Sequence, residues 1–306
     1  MKGLGTSVYS HITLDTGVRT SNSEVRSSNP KSIRSYPELV RAVARIQFGN
    51  PEYSLFFRGQ DKDYAIPSGS SSMYPSIYRS PNDISLSVDK LEERMTKLTF
   101  AQEVLLEEFR VRNLVGSVRL SDFKELCWAI LQHYEVCDTP FLDITSSLQA
   151  AASFALRHKT STGILYVLGF PHVNGSISYY VEEALINIKL LSICPPDAQR
   201  PYFQEGYLVG TFPTTVRKKQ PYLDVAARII AKFRLAWGTD DFWKEEASAI
   251  PDRALLPEED NALFPEDDIV KIICKEIKDK LDSLPKDYWQ KKASPEQSIE
   301  GEIPVT

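Results

Sequence analysis

Cysteine, histidine and the familiar catalytic signatures are all scarce in this chain, and each scarcity removes a class of function. The four cysteines, Cys127, Cys137, Cys194 and Cys274, form no CxxC pair and no Cys/His metal spacing. The expectation is free, partly buried thiols in a reducing compartment and no metal centre. Histidine also occurs only four times, which leaves few candidates for imidazole chemistry. No Walker loop, GxSxG, HExxH or GxGxxG is present. No apolar run approaches the length that spans a membrane, and MKGLGTSVYSHITLDTG lacks an apolar h-region. A cytoplasmic protein without membrane association is therefore expected. Basic residues are outnumbered, 36 Lys and Arg against 41 Asp and Glu, for a net charge of −5. General nucleic-acid binding needs a basic face, so only a local basic patch stays open. No internal repeat, low-complexity tract or linker is visible.

What remains is the composition of a soluble globular protein, 306 residues with 42% hydrophobic and 25% charged. Residues 1–32 are rich in Ser, Thr, Asn and Gly and read as a flexible leader, with a strand around Ser7–Leu14 as an option. Helical periodicity marks Tyr36–Phe48, Ser87–Arg112 and Ser121–Tyr134, the last with Ser121 as N-cap. Apolar runs mark strands at Ser54–Arg58, Gly163–Phe170, within Tyr202–Phe212 and at Ala227–Leu235. Ser176–Leu191 reads as one or two strands, or a strand and a short helix. Closing helices are expected at Asp240–Ile250 and Ile269–Leu281, and residues 285–306 read as a polar tail. The pattern predicts a single α+β domain over 33–284, with a central, mainly antiparallel sheet flanked by helices.

The densest chemistry lies in LQHYEVCDTPFLDITSSLQAAASFAL, from Leu131 to Leu156. A helix delivers His133 and Tyr134 to its end, and a short strand then places Asp143 and Thr145 at its exit. Ser146 or Ser147 caps a small-residue helix that follows. His133 suits acid–base work or a satisfied place near the core. Tyr134 sits on the apolar stripe. Asp143 lies between Leu142 and Ile144 and needs a partner: it holds Arg58, orients His133 or caps the next helix. Arg58 ends the apolar strand SLFFR, where an unpaired guanidinium is costly. It reads equally as a phosphate or carboxylate ligand and as half of an internal salt bridge. Gly59 beside it lets a ligand or another backbone approach closely. Gln204, Glu205 and Gly206 follow Arg200 among aromatics and form a plausible site edge.

These residues carry a resemblance. Phe57-Arg58-Gly59, Pro75-Ser76-Ile77-Tyr78-Arg79, Gln132-His133-Tyr134, Thr139 to Thr145, Ala151 to Ala155, Arg200-x-x-x-Gln204-x-Gly206 and Leu263-Phe264-Pro265 follow one another as in the FRG-domain family. Pro140, Phe141 and Ile144 depart from its usual pattern. Members occur mainly in bacteria and phages, which implies a defence or toxin context. The chain is also distantly similar to ADP-ribosyltransferases. That similarity implies that Arg58 and Gly59, with Tyr134, Thr145 and Ser147, bind NAD. His133, Asp143 and Gln204 or Glu205 would serve the chemistry on a macromolecular target, protein or nucleic acid, with Gln204 or Glu205 holding the ribose hydroxyl. The family pattern selects Gln204 over Glu205, unlike a standard transferase glutamate. Two other readings stand beside it: a non-catalytic module recognising a nucleotide, a phosphate or a protein, and a hydrolase or nuclease using His133 with Asp143.

Overall fold

Segments of three to nine residues give the strands of the computed structural model: β1 (Lys31–Ile33), β2 (Ser54–Gln60), β3 (Phe141–Thr145), β4 (Thr162–Phe170), β5 (Ile177–Tyr180), β6 (Leu185–Lys189), β7 (Gly206–Thr211) and β8 (Ile229–Ala236). The structure describes residues 1–5, 7–80, 86–157, 162–195, 198, 200–212, 214, 221–236, 242–243, 268–285 and 287–293. Helices α1 (Asn22–Ser27), α2 (Tyr36–Gly49), α3 (Val88–Val111), α4 (Ser117–Asp122), α5 (Lys124–His133), α6 (Leu148–Leu156) and α7 (Arg200–Gln204) surround the strands. Two further helices, Ile269–Ser283 and Tyr288–Ala293, follow. Among the described residues no helix is long and apolar enough to cross a membrane.

One mixed sheet runs in the order β1-β8-β4-β2-β3-β7-β6-β5. Among the described strands only β1 and β8 pair in parallel. The fold is therefore α+β on a mainly antiparallel sheet. Strand pairing is long on either side of the middle: β2 pairs with β4 from Ser54↔Phe170 to Gln60↔Ile164, and β3 with β7 from Phe141↔Gly210 to Thr145↔Gly206. In the middle, β2 and β3 share a single pair, Phe57↔Thr145. Beyond it the strands diverge, and the sheet opens.

Two buried clusters pack the sheet, and the first spans its middle, taking in Leu142 and Ile144 of β3 and Val209 of β7. Leu39, Val43 and Ile46 of α2 and Ala151 and Ala155 of α6 pack with Leu165, Val167 and Phe233 of the β4–β8 half. Leu98, Leu105 and Phe109 of α3, Leu126 and Ile130 of α5, and Ile273 and Ile277 pack with Ile186, Ile188 and Leu208 of the β6–β7 half. The seven-residue spacing of Leu91, Leu98 and Leu105 turns one face of α3 inward, whereas α5 is buried nearly all round. Helix α6 lies hard against β2 and β4, which requires glycine beneath it. A Cβ on Gly59 would come within 1.9 Å of the Ala151 carbonyl oxygen, and one on Gly163 within 2.0 Å of that of Ala155. The backbone that approaches Gly59 is thus α6.

Several expectations need correction. The described part of residues 1–32 is built into the fold: Val8 and Val25 are fully buried, and Lys31–Ile33 extends the sheet. Their few apolar residues are anchored singly, without the periodicity that would have marked them. Around Ser7–Leu14 there is one isolated bridge, Val8↔Thr20, and no strand. Ser121 lies inside α4, because the chain breaks into an extended conformation at Phe123 before α5 begins. Ser176–Leu191 resolves into the β5–β6 hairpin. Strand β8 starts only at Ile229, after a turn capped by the Asp224 side chain. Within 285–306, Tyr288–Ala293 is helical, and Trp289 stacks edge-on against Phe100. Most of Asp240–Ile250, all of Leu263–Pro265, and residues 294–306 lie outside the described residues.

Gly59→Ala and Gly163→Ala should each lower stability by about 2 kcal/mol or more, since α6 must move to admit a methyl group. Gly175→Ala, whose Cβ would meet nothing nearer than the Ile177 carbonyl oxygen at 3.8 Å, should stay near wild type. Urea midpoints of the three variants check this.

Candidate functional site

The opening between β2 and β3 is a polar cleft. Where the next ladder bond would form, the Arg58 Nη1 donates to the Asp143 backbone carbonyl instead. The side chain of β2 thus satisfies a group that the diverging strand can no longer reach. The Asp143 carboxylate accepts from Gln132 Nε2 at 2.8 Å and lies 3.7 Å from His133 Nδ1. That second separation is too long for a hydrogen bond. Gln132 is itself held, because Thr139 Oγ1 donates to its Oε1. Thr139 in turn bonds the 3₁₀ turn Ser76–Tyr78 twice: its N–H donates to Ser76 Oγ at 3.0 Å, and its carbonyl accepts from the Ile77 N–H at 3.2 Å. Three separated segments are joined in this way.

Burial alone would push the Asp143 carboxyl up. The neighbouring His133, then Arg58 and Gln132, outweigh that and hold it below the ordinary carboxylate range. Burial also depresses the pKa of Arg58, opposed by Asp143 and reinforced by Arg79. The guanidinium nevertheless stays charged. Its Nε is buried without a hydrogen-bond partner, as is Gln60 Oε1.

An inner cavity of about 340 Å³ is lined by Arg58, Gly59, His133, Asp143, Thr145 and Gln204, among others. Thr145 Oγ1 donates to the Gln204 carbonyl at 2.6 Å and accepts from the Ser147 N–H at 2.9 Å. Ser147 caps α6 by accepting from the Ala150 N–H, and it does not line the cavity. Glu205 is exposed, with φ +44°, and its carboxylate accepts from Ser146 Oγ at 3.2 Å. Of this adjacent pair, Gln204 lines the cavity. Tyr134 points away from it: the hydroxyl donates to Asp268 at 2.7 Å, and burial and then Asp268 raise its pKa. The His133 ring is only 3% exposed, and its carbonyl accepts from Arg200. This suits a residue that orients Asp143 better than one that meets substrate. Among the described residues no cluster of three or more His, Cys, Asp or Glu could hold a metal ion.

The family model for the FRG domain matches residues 53–163. The chain carries an FRG domain. No curated protein and no solved structure matches the chain. The matched span of the FRG domain begins just before β2 and ends at the start of β4. It therefore contains Arg58, Arg79, Gln132, His133, Asp143 and Thr145, all of which line the inner cavity. Gln204 lies beyond it.

Sequence reasoning missed three contributors. Gln132 stood in a recognised motif, but as a mid-helix glutamine it carried no sign of its bond to Asp143. Arg79 and Arg157 line the cavity with Arg58. Arg157 follows the alanine-rich helix, where a terminal arginine ordinarily faces solvent.

The depressed pKa of Asp143 sets a pH signature. Its stabilising contribution is present above the ordinary carboxylate pKa of about 4 and is lost as pH falls through the lower folded value. Wild type should therefore lose stability relative to Asp143→Asn only below about pH 4. Thermal melts of both proteins from neutral pH downward check this.

Proposed function

We propose that this cleft binds NAD and transfers ADP-ribose from it to a macromolecular acceptor. The observation that carries the reading is that Arg58, Thr145 and Gln204, far apart in sequence, line one cavity at the split in the sheet. Arg58, Arg79 and Arg157 also line a second, adjoining chamber, so they stand where the two meet. Guanidinium groups at a waist between two chambers suit the diphosphate of a two-ended ligand.

When bound, NAD supplies a ribose–nicotinamide bond that breaks with its electron pair leaving on nicotinamide, while an acceptor nucleophile bonds the ribose carbon and releases its proton. The chain's own residues divide the remaining work. The three arginines hold the diphosphate. Thr145, whose hydroxyl is committed to the Gln204 carbonyl, shapes the wall. The Gln204 amide holds a ribose hydroxyl. The Asp143 carboxylate, 39% exposed and kept ionised by its neighbours, faces the positive charge that develops on the ribose. It supplies the negative charge that a glutamate at 204 would otherwise bring.

One observation favours a non-catalytic nucleotide-binding module instead: the acidic residue of the Gln204–Glu205 pair is exposed and does not line the cavity. Calorimetric titration with NAD addresses binding, and release of nicotinamide addresses catalysis. Saturable binding is expected, weakened about tenfold or more in Arg157→Ala and Gln204→Ala. Absence of binding by folded protein at millimolar NAD would overturn the reading. Binding without nicotinamide release in the presence of cell extract would leave the module.

A further inference from the structure

The chamber that adjoins the inner cavity is the larger of the two, about 1120 Å³. That is at or above the upper end for a small-molecule pocket, so it has room for part of a larger molecule. We propose that this outer chamber binds a single-stranded nucleotide chain, which serves as the acceptor. The binding stands on the chamber itself; only the role of acceptor rests on the transferase reading.

Charge is the first argument. Arg58, Arg79 and Arg157 line the chamber. Arg79 spends its Nε on the Tyr74 carbonyl at 2.7 Å, and among the described residues its terminal nitrogens make no hydrogen bond. Two acids share the lining, Asp61 and Asp138. Asp138 is matched by Arg94 at 3.4 Å, and Asp61 accepts from the Tyr64 hydroxyl at 3.2 Å. The lining is thus locally basic on a chain whose net charge is −5. Aromatic surface is the second argument. Tyr64 is 46% exposed at this wall, and Tyr74 and Phe154 line it as well. Arginines beside aromatic rings provide phosphate contacts and stacking platforms together, as single-stranded nucleic acid requires. An acidic peptide would use the cations and leave the rings idle.

The wall is also built in advance. Buried Lys232 of β8 donates to Asp63 at 3.0 Å, to Ser71 Oγ at 2.8 Å and to the Arg26 carbonyl at 2.9 Å. The other oxygen of Asp63 accepts from the Tyr166 hydroxyl at 2.7 Å. Asp224 accepts from the Met73 N–H at 2.7 Å and from Arg26 at 2.7 Å. The stretch 63–73 is therefore fastened at one end to the sheet and at the other to the turn that precedes β8, and Tyr64 is presented by a fixed wall.

The test is fluorescence anisotropy of the full chain with labelled oligothymidine and oligouridine of about twelve nucleotides, without NAD. Wild type should bind at least one of them, with affinity falling steeply as salt rises. Arg79→Ala and Tyr64→Ala should each weaken binding about tenfold, and Arg19→Ala, on another surface, should not. Circular dichroism melts establish that each variant is folded. No binding by folded wild type at low salt would overturn the proposal. So would equal loss in all three variants, or displacement by polyglutamate as readily as by unlabelled oligonucleotide. Binding of NAD and AMP without binding of either oligonucleotide would assign the chamber to the adenosine half of the dinucleotide and also overturn it. Because the oligonucleotide titrations contain no NAD, their failure is separate from a failure of the calorimetry.

Discussion

The structure depends on one guanidinium placed in a break. After Phe57↔Thr145 the two middle strands part, and the Arg58 side chain reaches from β2 to the Asp143 carbonyl on β3. A strand that leaves its ladder exposes backbone groups that must find partners, and a buried arginine needs acceptors. Each demand meets the other here. Because the contact uses the Asp143 backbone, the carboxylate is left available to Gln132, to the neighbouring His133 and to the cavity.

The rest of the architecture keeps that break open and fixed. One core spans it, with Leu142, Ile144 and Val209 in the same cluster as Phe56, Leu165 and Val167 and with Phe56 edge-on to Tyr207 at 4.9 Å, and a second core packs against the β3, β6 and β7 strands. On one side α6 is pressed onto β2 and β4 through Gly59 and Gly163. On the other, α5 ends at the cleft and delivers Gln132 and His133 together. Close-packed cores change shape little, so a cleft walled by them is a preorganised site.

Much of this was legible in the sequence. Arg58 after four residues of apolar strand, and Asp143 between Leu142 and Ile144, announced themselves as charges in apolar surroundings, and they meet. The choice between ligand and ion pair was legible only as a choice: the structure gives a bond to a backbone carbonyl, which no side-chain pattern encodes. For Asp143 the structure shows the hold on Arg58 and the neighbouring His133, while the cap of α6 belongs to Ser147. The strand break itself was invisible, because divergence is a property of two strands separated by eighty residues of other structure. Arg79, Arg157 and the Lys232–Asp63 pair escaped for the same reason. Each looks like an ordinary surface or interruption charge until the chain is folded. Residues 1–32 misled in the opposite direction, since polar composition concealed the few side chains, Val8 and Val25 among them, that dock in the core.

Hydrogen–deuterium exchange of the full chain, with and without saturating NAD, tests the central claim most directly. The account predicts protection on both lips of the break, residues 57–60 and 141–145, together with the turn at 76–79, and little change in β5 and β6. Protection confined to other segments, or none at these three, would contradict the assignment of the ligand site to the split in the sheet.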